Sequence, residues 1–143
     1  MGVHSQGAGE DLDYAHSKLA NLLFTAELSR RLQARGSTVT TYCVSPGRVN
    51  TNIFGGVPGL LRRPLQVLAG LFFQTPKQGA QTVLTAALAP DLGGQHALYM
   101  HGQKEAEPAC VAKDAVLAAD VWQSSLEVVG LTKNDDERLW PKV

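Results

Sequence analysis

From Tyr14 to Ala34 the sequence contains neither glycine nor proline, and Leu, Ala, Arg, Lys and Glu dominate it. All of these are strong helix formers, so this run predicts one long helix. Leu12, Ala15, Leu19, Leu22, Leu23 and Ala26 trace a stripe at helical spacing. Arg30, Arg31 and Arg35 gather at the C-terminal end, where cations suit the helix dipole, and Gly36 supplies the stop. The following residues, Ser37 to Val44, are rich in Thr and Val and predict a strand that Pro46 and Gly47 end.

The alternation continues through the rest of the chain, without repeats or low-complexity segments. Pro58 to Phe73 is apolar, with two arginines and Pro64 inside it, and predicts short helical pieces. Thr75-Pro76 has the form of an N-cap and first-turn proline, with the helix running to about Ala89 before Pro90. A short strand is expected over His96 to Met100. A final helix from about Ala112 to Val129 would place Ala115, Ala118, Trp122, Leu126 and Val129 on one face, with Gly130 ending it. Helix, strand, helix, helix, strand, helix argues an α/β protein with parallel strands.

Charge and composition exclude several classes. Thirteen Lys and Arg balance thirteen Asp and Glu, so the net charge is zero, which removes the basic excess that phosphate neutralisation demands of a nucleic-acid binder. Residues 1–74 nevertheless hold seven basic and four acidic groups, and residues 75–143 six and nine, an imbalance that solvated helix faces explain. The 44% hydrophobic content is too high for a disordered chain, yet no uninterrupted apolar run reaches the length of a spanning helix. Residues 1–10 lack the basic-then-apolar pattern of a secretory signal. Cys43 and Cys110 form no disulfide framework, which makes a reducing compartment the default; Cys43 is expected as a small core residue on its strand and Cys110 in a loop. His4, His16, His96 and His101 have no metal-ligand spacing.

Two constellations carry chemistry. Tyr14 and Lys18 stand four apart and so share one helix face, roughly 6 Å apart along the axis. An ammonium one turn from a phenol favours the phenolate, and a phenol poised in that way can exchange a proton with an alcohol or carbonyl oxygen. Ser45-Pro46-Gly47-Arg48-Val49-Asn50-Thr51 follows a strand directly, where ligands of open α/β sheets bind. Gly47 would let backbone approach a flat ring, and Thr51 could offer a hydroxyl. Each has a plainer reading, as a pair of surface residues and as an ordinary strand-exit turn.

In combination, Tyr14-x-x-x-Lys18, a helix closing at Gly36, a strand and Pro46-Gly47-x-Val49-x-Thr51 resemble the C-terminal half of a short-chain dehydrogenase/reductase. The stretch Tyr14-Ala-His-Ser-Lys-Leu-Ala-Asn-Leu-Leu-Phe-Thr-Ala-Glu-Leu resembles its retinol-dehydrogenase-like branch, as does Thr75-Pro76-Lys77-Gln78-Gly79-Ala80. The resemblance covers roughly residues 12 to 130. It implies the C-terminal half of a Rossmann-like, doubly wound parallel sheet lacking the N-terminal nucleotide-binding strands. Residues 14–51 would form the catalytic helix, strand and turn, 52–74 the substrate flap, 75–130 the last helices and strand, and 131–143 a tail. It implies Tyr14 as general acid/base and Lys18 holding the nicotinamide ribose of NADP(H) or NAD(H). Pro46, Gly47, Val49 and Thr51 would line the nicotinamide ring. The substrate expected is a lipophilic alcohol or carbonyl, such as a retinoid, prenol-like alcohol, steroid or aliphatic aldehyde.

The sequence also departs from that family. It contains no glycine-rich turn for the pyrophosphate and no Asn-Ala-Gly element, and Ser5, with no strand around it, is not assigned as the catalytic serine. On this reading Met1 falls inside the family's domain, and the chain alone is expected to show no turnover. The alternative is a non-catalytic isoform or fragment that associates with a full-length partner through the helix over residues 14–35. Leu60, Leu61, Leu65, Leu68, Leu71, Phe72 and Phe73 beside Arg62 and Arg63 suit either a substrate lid or contact with a membrane surface over residues 60–73. A cytoplasmic or peripheral endoplasmic-reticulum location is compatible with both.

Overall fold

The computed structural model describes residues 5–47, 49, 73–132, 134–135 and 138. In chain order these form α1 (Ser5–Ala34), β1 (Tyr42–Ser45), α2 (Pro76–Leu88), β2 (Leu98–His101), β3 (Lys104–Glu105) and α3 (Ala115–Val128). Two 3-10 turns, Pro90–Leu92 and Cys110–Lys113, precede β2 and α3 respectively. The class is α/β, with a small mixed sheet in the order β1-β2-β3. β2 and β3 pair antiparallel with Met100 opposite Glu105 and His101 opposite Lys104, so the parallel pairing is that of β1 with β2. Such an arrangement is compatible with part of a Rossmann-like fold.

The chain divides into two compact units. The first comprises residues 1–43, 94–97 and 107–143, and its core lies where α1 packs on α3 and on the turn at Cys110–Lys113. Leu23 and Leu32 from α1 are buried, as are Ala112, Ala118, Trp122 and Leu126. Phe24 stacks on Trp122 with ring centroids 4.9 Å apart, and the Arg31 guanidinium lies 4.6 Å from the Trp122 ring centroid. Glu27, buried in the same helix, accepts hydrogen bonds from Arg30 Nε and Nη2 and from Arg31 Nε at 2.6–2.7 Å.

Helix boundaries follow local chemistry. Gly36 adopts φ +69°, and Ser37 N–H and Gly36 N–H return to the carbonyls of Leu32 and Gln33, so the helix ends where a left-handed residue can satisfy its last acceptors. At its other end α1 opens at Ser5, earlier than expected, which places Tyr14 in the third turn rather than the first. α3 starts at Ala115, not near Ala112, because Asp114 is its N-cap and accepts from Val116 N–H at 2.9 Å and Leu117 N–H at 3.1 Å. Of its expected stripe, Ala118, Trp122 and Leu126 are buried, while Ala115 and Val129 are exposed.

The second unit comprises residues 44–93 and 98–106. α2 packs on β2; its Gly79, Thr82 and Ala86 are buried, as are Leu92 and Met100 in the same unit. Its N-terminus carries the expected cap: Thr75 Oγ1 accepts from Gln78 N–H, and Gln78 Oε1 accepts from Thr75 N–H, a reciprocal capping box. Both predicted strands shift. β1 spans Tyr42–Ser45 rather than beginning at Ser37: Val39 N–H bonds the Ser37 hydroxyl, a local bond that competes with a ladder, and the Thr41 hydroxyl donates to the Thr25 carbonyl of α1. β2 begins at Leu98 rather than His96, because Ala97 has φ +55°, a left-handed conformation outside the strand region.

Candidate functional site

Tyr14 and Lys18 project from α1 as exposed residues, the tyrosine 66% accessible. Their four-residue spacing brings the Lys18 ammonium 5.2 Å from the Tyr14 ring centroid, a cation–π contact. Ser17, between them, donates its hydroxyl to the Tyr14 carbonyl at 2.7 Å. The Lys18 charge also reaches Cys43 in the same unit. Burial pushes the Cys43 thiol up, while a hydrogen bond with Thr25 and the Lys18 ammonium pull it back. Cys43 is half-buried and Cys110 is exposed.

The strand-exit turn lies in the second unit, and Pro46, Gly47 and Val49 are half-buried there. Gly47 adopts φ +85°, a conformation that excludes most side chains, and among the described residues a Cβ there would meet the Gln74 side chain at 3.5 Å. The turn is tied down from both directions. Before it, the Ser45 carbonyl accepts from Gly102 N–H at 3.0 Å, and the Ser45 hydroxyl is 3.3 Å from His101 Nδ1. After it, Val49 forms a parallel bridge with Gln74. Ser45, Gln74, Gly79 and His101 are structural partners of this turn that sequence spacing did not single out as a set. Gln74 and Gly79 flank the Thr75-Pro76 signature and were within its reach; His101 joins Ser45 only through the sheet. Thr51 and residues 52–72, which hold nearly all of the expected flap, its short helical pieces and the expected membrane contact, lie outside the described residues; Phe73 is half-buried.

The donor set present fits one end of a nicotinamide dinucleotide. A phenol offers one donor and an acceptor, an ammonium offers three donors, and a ribose diol with a neighbouring alcohol or carbonyl oxygen can use both. For the pyrophosphate end the sequence supplies no glycine-rich turn. Among the described residues no helix is long and apolar enough to cross a membrane, and no group of three or more His, Cys, Asp or Glu could hold a metal.

An α/β chain with a Tyr-x-x-x-Lys helix and a Pro-Gly strand exit has the marks of an oxidoreductase domain, and comparison with known proteins gives the family. The chain is 38% identical to polyprenol dehydrogenase of Mus musculus over 87% of its own length and 37% of that protein's. Retinol dehydrogenase 14 of Mus musculus is 40% identical over 90% of this chain and 38% of its own, and dehydrogenase/reductase SDR family member 13 of Homo sapiens 41% over 86% and 32%. The chain belongs to the short-chain dehydrogenase/reductase family, among retinol-dehydrogenase-like members. It spans a little over a third of the length of these dehydrogenases of polyprenol and retinol. No family model matches the chain. No solved structure matches it.

Proposed function

We propose that this chain carries the acid/base residues of an oxidoreductase that moves a hydride between NADP(H), or NAD(H), and a lipophilic alcohol or carbonyl. The observation that carries the reading is the Lys18 ammonium seated 5.2 Å from the Tyr14 ring centroid on an exposed helix face. The names of the relatives, retinol and polyprenol dehydrogenases, support an apolar isoprenoid-like substrate.

A bound nicotinamide ring supplies hydride transfer. In alcohol oxidation the deprotonated Tyr14 oxygen would take the proton of the substrate hydroxyl while the carbinol carbon gives up its hydride to the ring, and in carbonyl reduction the Tyr14 hydroxyl would give its proton to the carbonyl oxygen. Lys18 would donate to the ribose hydroxyls and orient them beside the phenol. Pro46 and Gly47 would face the ring, Val49 would meet its carboxamide through backbone, and Thr51 would add a hydroxyl. These roles are proper to a protein that also supplies a phosphate-binding turn, so the 143-residue chain by itself turns over no substrate.

The test is a fusion that places the glycine-rich segment of a relative such as retinol dehydrogenase 14 ahead of Ser5. The fusion should oxidise retinol or polyprenol with NADP, and Tyr14→Phe should lower kcat by about 10²–10⁴-fold. An active fusion that keeps its kcat after Tyr14→Phe overturns the assignment. Micromolar NADPH binding by the unfused chain, measured by calorimetry, overturns its expected inactivity.

A further inference from the structure

Three contacts from one short segment converge on the strand-exit turn. Gln74 bridges to the backbone of Val49, and its side chain approaches Gly47. Five residues later the first turn of α2 comes back against the same residue, since a Cβ built on Gly79 would sit 2.6 Å and 3.2 Å from the two methyl groups of Val49. Gly79 is buried, and its N–H donates to the Thr75 carbonyl at 3.0 Å inside the capped first turn. The helix start is therefore fixed by its own hydrogen bonds at a height that no side chain at position 79 permits.

We propose that Gly79 is a positioning residue for the turn of Pro46, Gly47 and Val49: its missing side chain lets α2 seat directly on Val49 and sets where that backbone lies. That the backbone so placed faces a nicotinamide carboxamide rests on the oxidoreductase reading. The geometry of the seat does not. An alanine at 79 forces Val49 Cγ2 to retreat by about 0.8 Å to reach ordinary contact at 3.4 Å. A β-branched side chain is stiff about χ1, so the retreat passes to the backbone of Val49 and, through the bridge, to Gln74. Val49→Ala removes both offending methyls and leaves only the Cβ, already at 3.5 Å, so the two changes compensate.

The experiment uses the 143-residue chain and amide chemical shifts. Gly79→Ala should displace the signals of Gly47 and Gln74 while leaving those of Phe24 and Trp122, in the other unit, in place. Gly79→Ala combined with Val49→Ala should return them. Should Gly79→Ala fail to fold, recovery of a native spectrum in the double variant is the same result. Unmoved signals in the single variant, or signals that stay displaced in the double, overturn the proposal, as does a double variant that does not fold. Titration with millimolar NADPH supplies the readout on cofactor affinity. It should perturb Gly47, with binding weakened about tenfold in Gly79→Ala and restored in the double variant. A wild-type chain that NADPH leaves unperturbed counts against the cofactor reading alone, and the shift-and-rescue pattern of the free chain still decides the role of Gly79.

Discussion

Replacing Glu27 by glutamine keeps the shape of the side chain and removes its charge. The carboxylate is 1% exposed and receives three hydrogen bonds, two from Arg30 and one from Arg31. Glutamine retains one acceptor oxygen but turns an amide N–H₂ towards a guanidinium that can only donate. Breaking a buried ion pair costs about 3–5 kcal/mol when the stranded charge stays buried. Here Arg30 is 59% exposed and Arg31 22% exposed, so water recovers part of that loss, and a cost of about 2 kcal/mol is expected. With a urea slope of about 1–3 kcal/mol/M, the unfolding midpoint falls by roughly 1 M.

The pH dependence carries a sign. The Arg30 hydrogen bond, aided by that of Arg31 and by both charges, holds the Glu27 carboxyl below its ordinary 4.5 despite burial. Its contribution is complete above 4.5, drains as pH falls below that value, and is gone once pH passes the lowered folded value. Urea unfolding followed by far-ultraviolet circular dichroism at pH 7 and at steps below 4.5 should therefore show the gap between wild type and Glu27→Gln closing as pH drops. An equal midpoint at pH 7, or a gap that widens in acid, refutes the reasoning.

Other outcomes follow from the same packing. Trp122→Ala should cost about 3–5 kcal/mol, and a cycle with Phe24→Ala should return a coupling of about 0.5–1.5 kcal/mol in urea unfolding, since the rings stack at 4.9 Å. Asp114→Ala removes the acceptor for two amides at the start of α3 and should lower stability by about 1 kcal/mol, with Asp114→Asn losing less by the same assay. Tyr14→Phe should leave the urea midpoint of the isolated chain within about 0.5 kcal/mol, because the phenol is exposed and its hydroxyl is not part of the core. A larger loss there would make Tyr14 a structural residue.

Local chemistry made several elements legible in advance. Thr75-Pro76 with Gln78 three positions after the cap specified a helix start that the structure reproduces with both reciprocal bonds. Gly36 marked the end of α1 because only a residue at ease with positive φ closes a helix in that way. What depended on partners was less visible. The stripe of apolar residues in α1 pointed to Leu12 and Ala15 as readily as to Leu23, yet Leu12 is exposed, and the buried face also includes Glu27 and Ser29. A hydrophobic pattern states which residues gain from burial; it does not say where a second helix stands, nor that two arginines will make a buried carboxylate tolerable.

The site divides in the same way. Sequence by itself determined that Tyr14 and Lys18 share a helix face, because four residues make about one turn whatever surrounds the helix. It also determined that the strand ends at Pro46-Gly47, and its pattern pointed to the family that comparison then gave. Tertiary structure decided what holds that turn. His101 comes to Ser45 from a strand more than fifty residues away. Gly79 meets Val49 only because α2 folds back on the segment that leads into it. Spacing along one helix is fixed by backbone geometry, but contact between separate segments is fixed by packing, and only the folded chain specifies that.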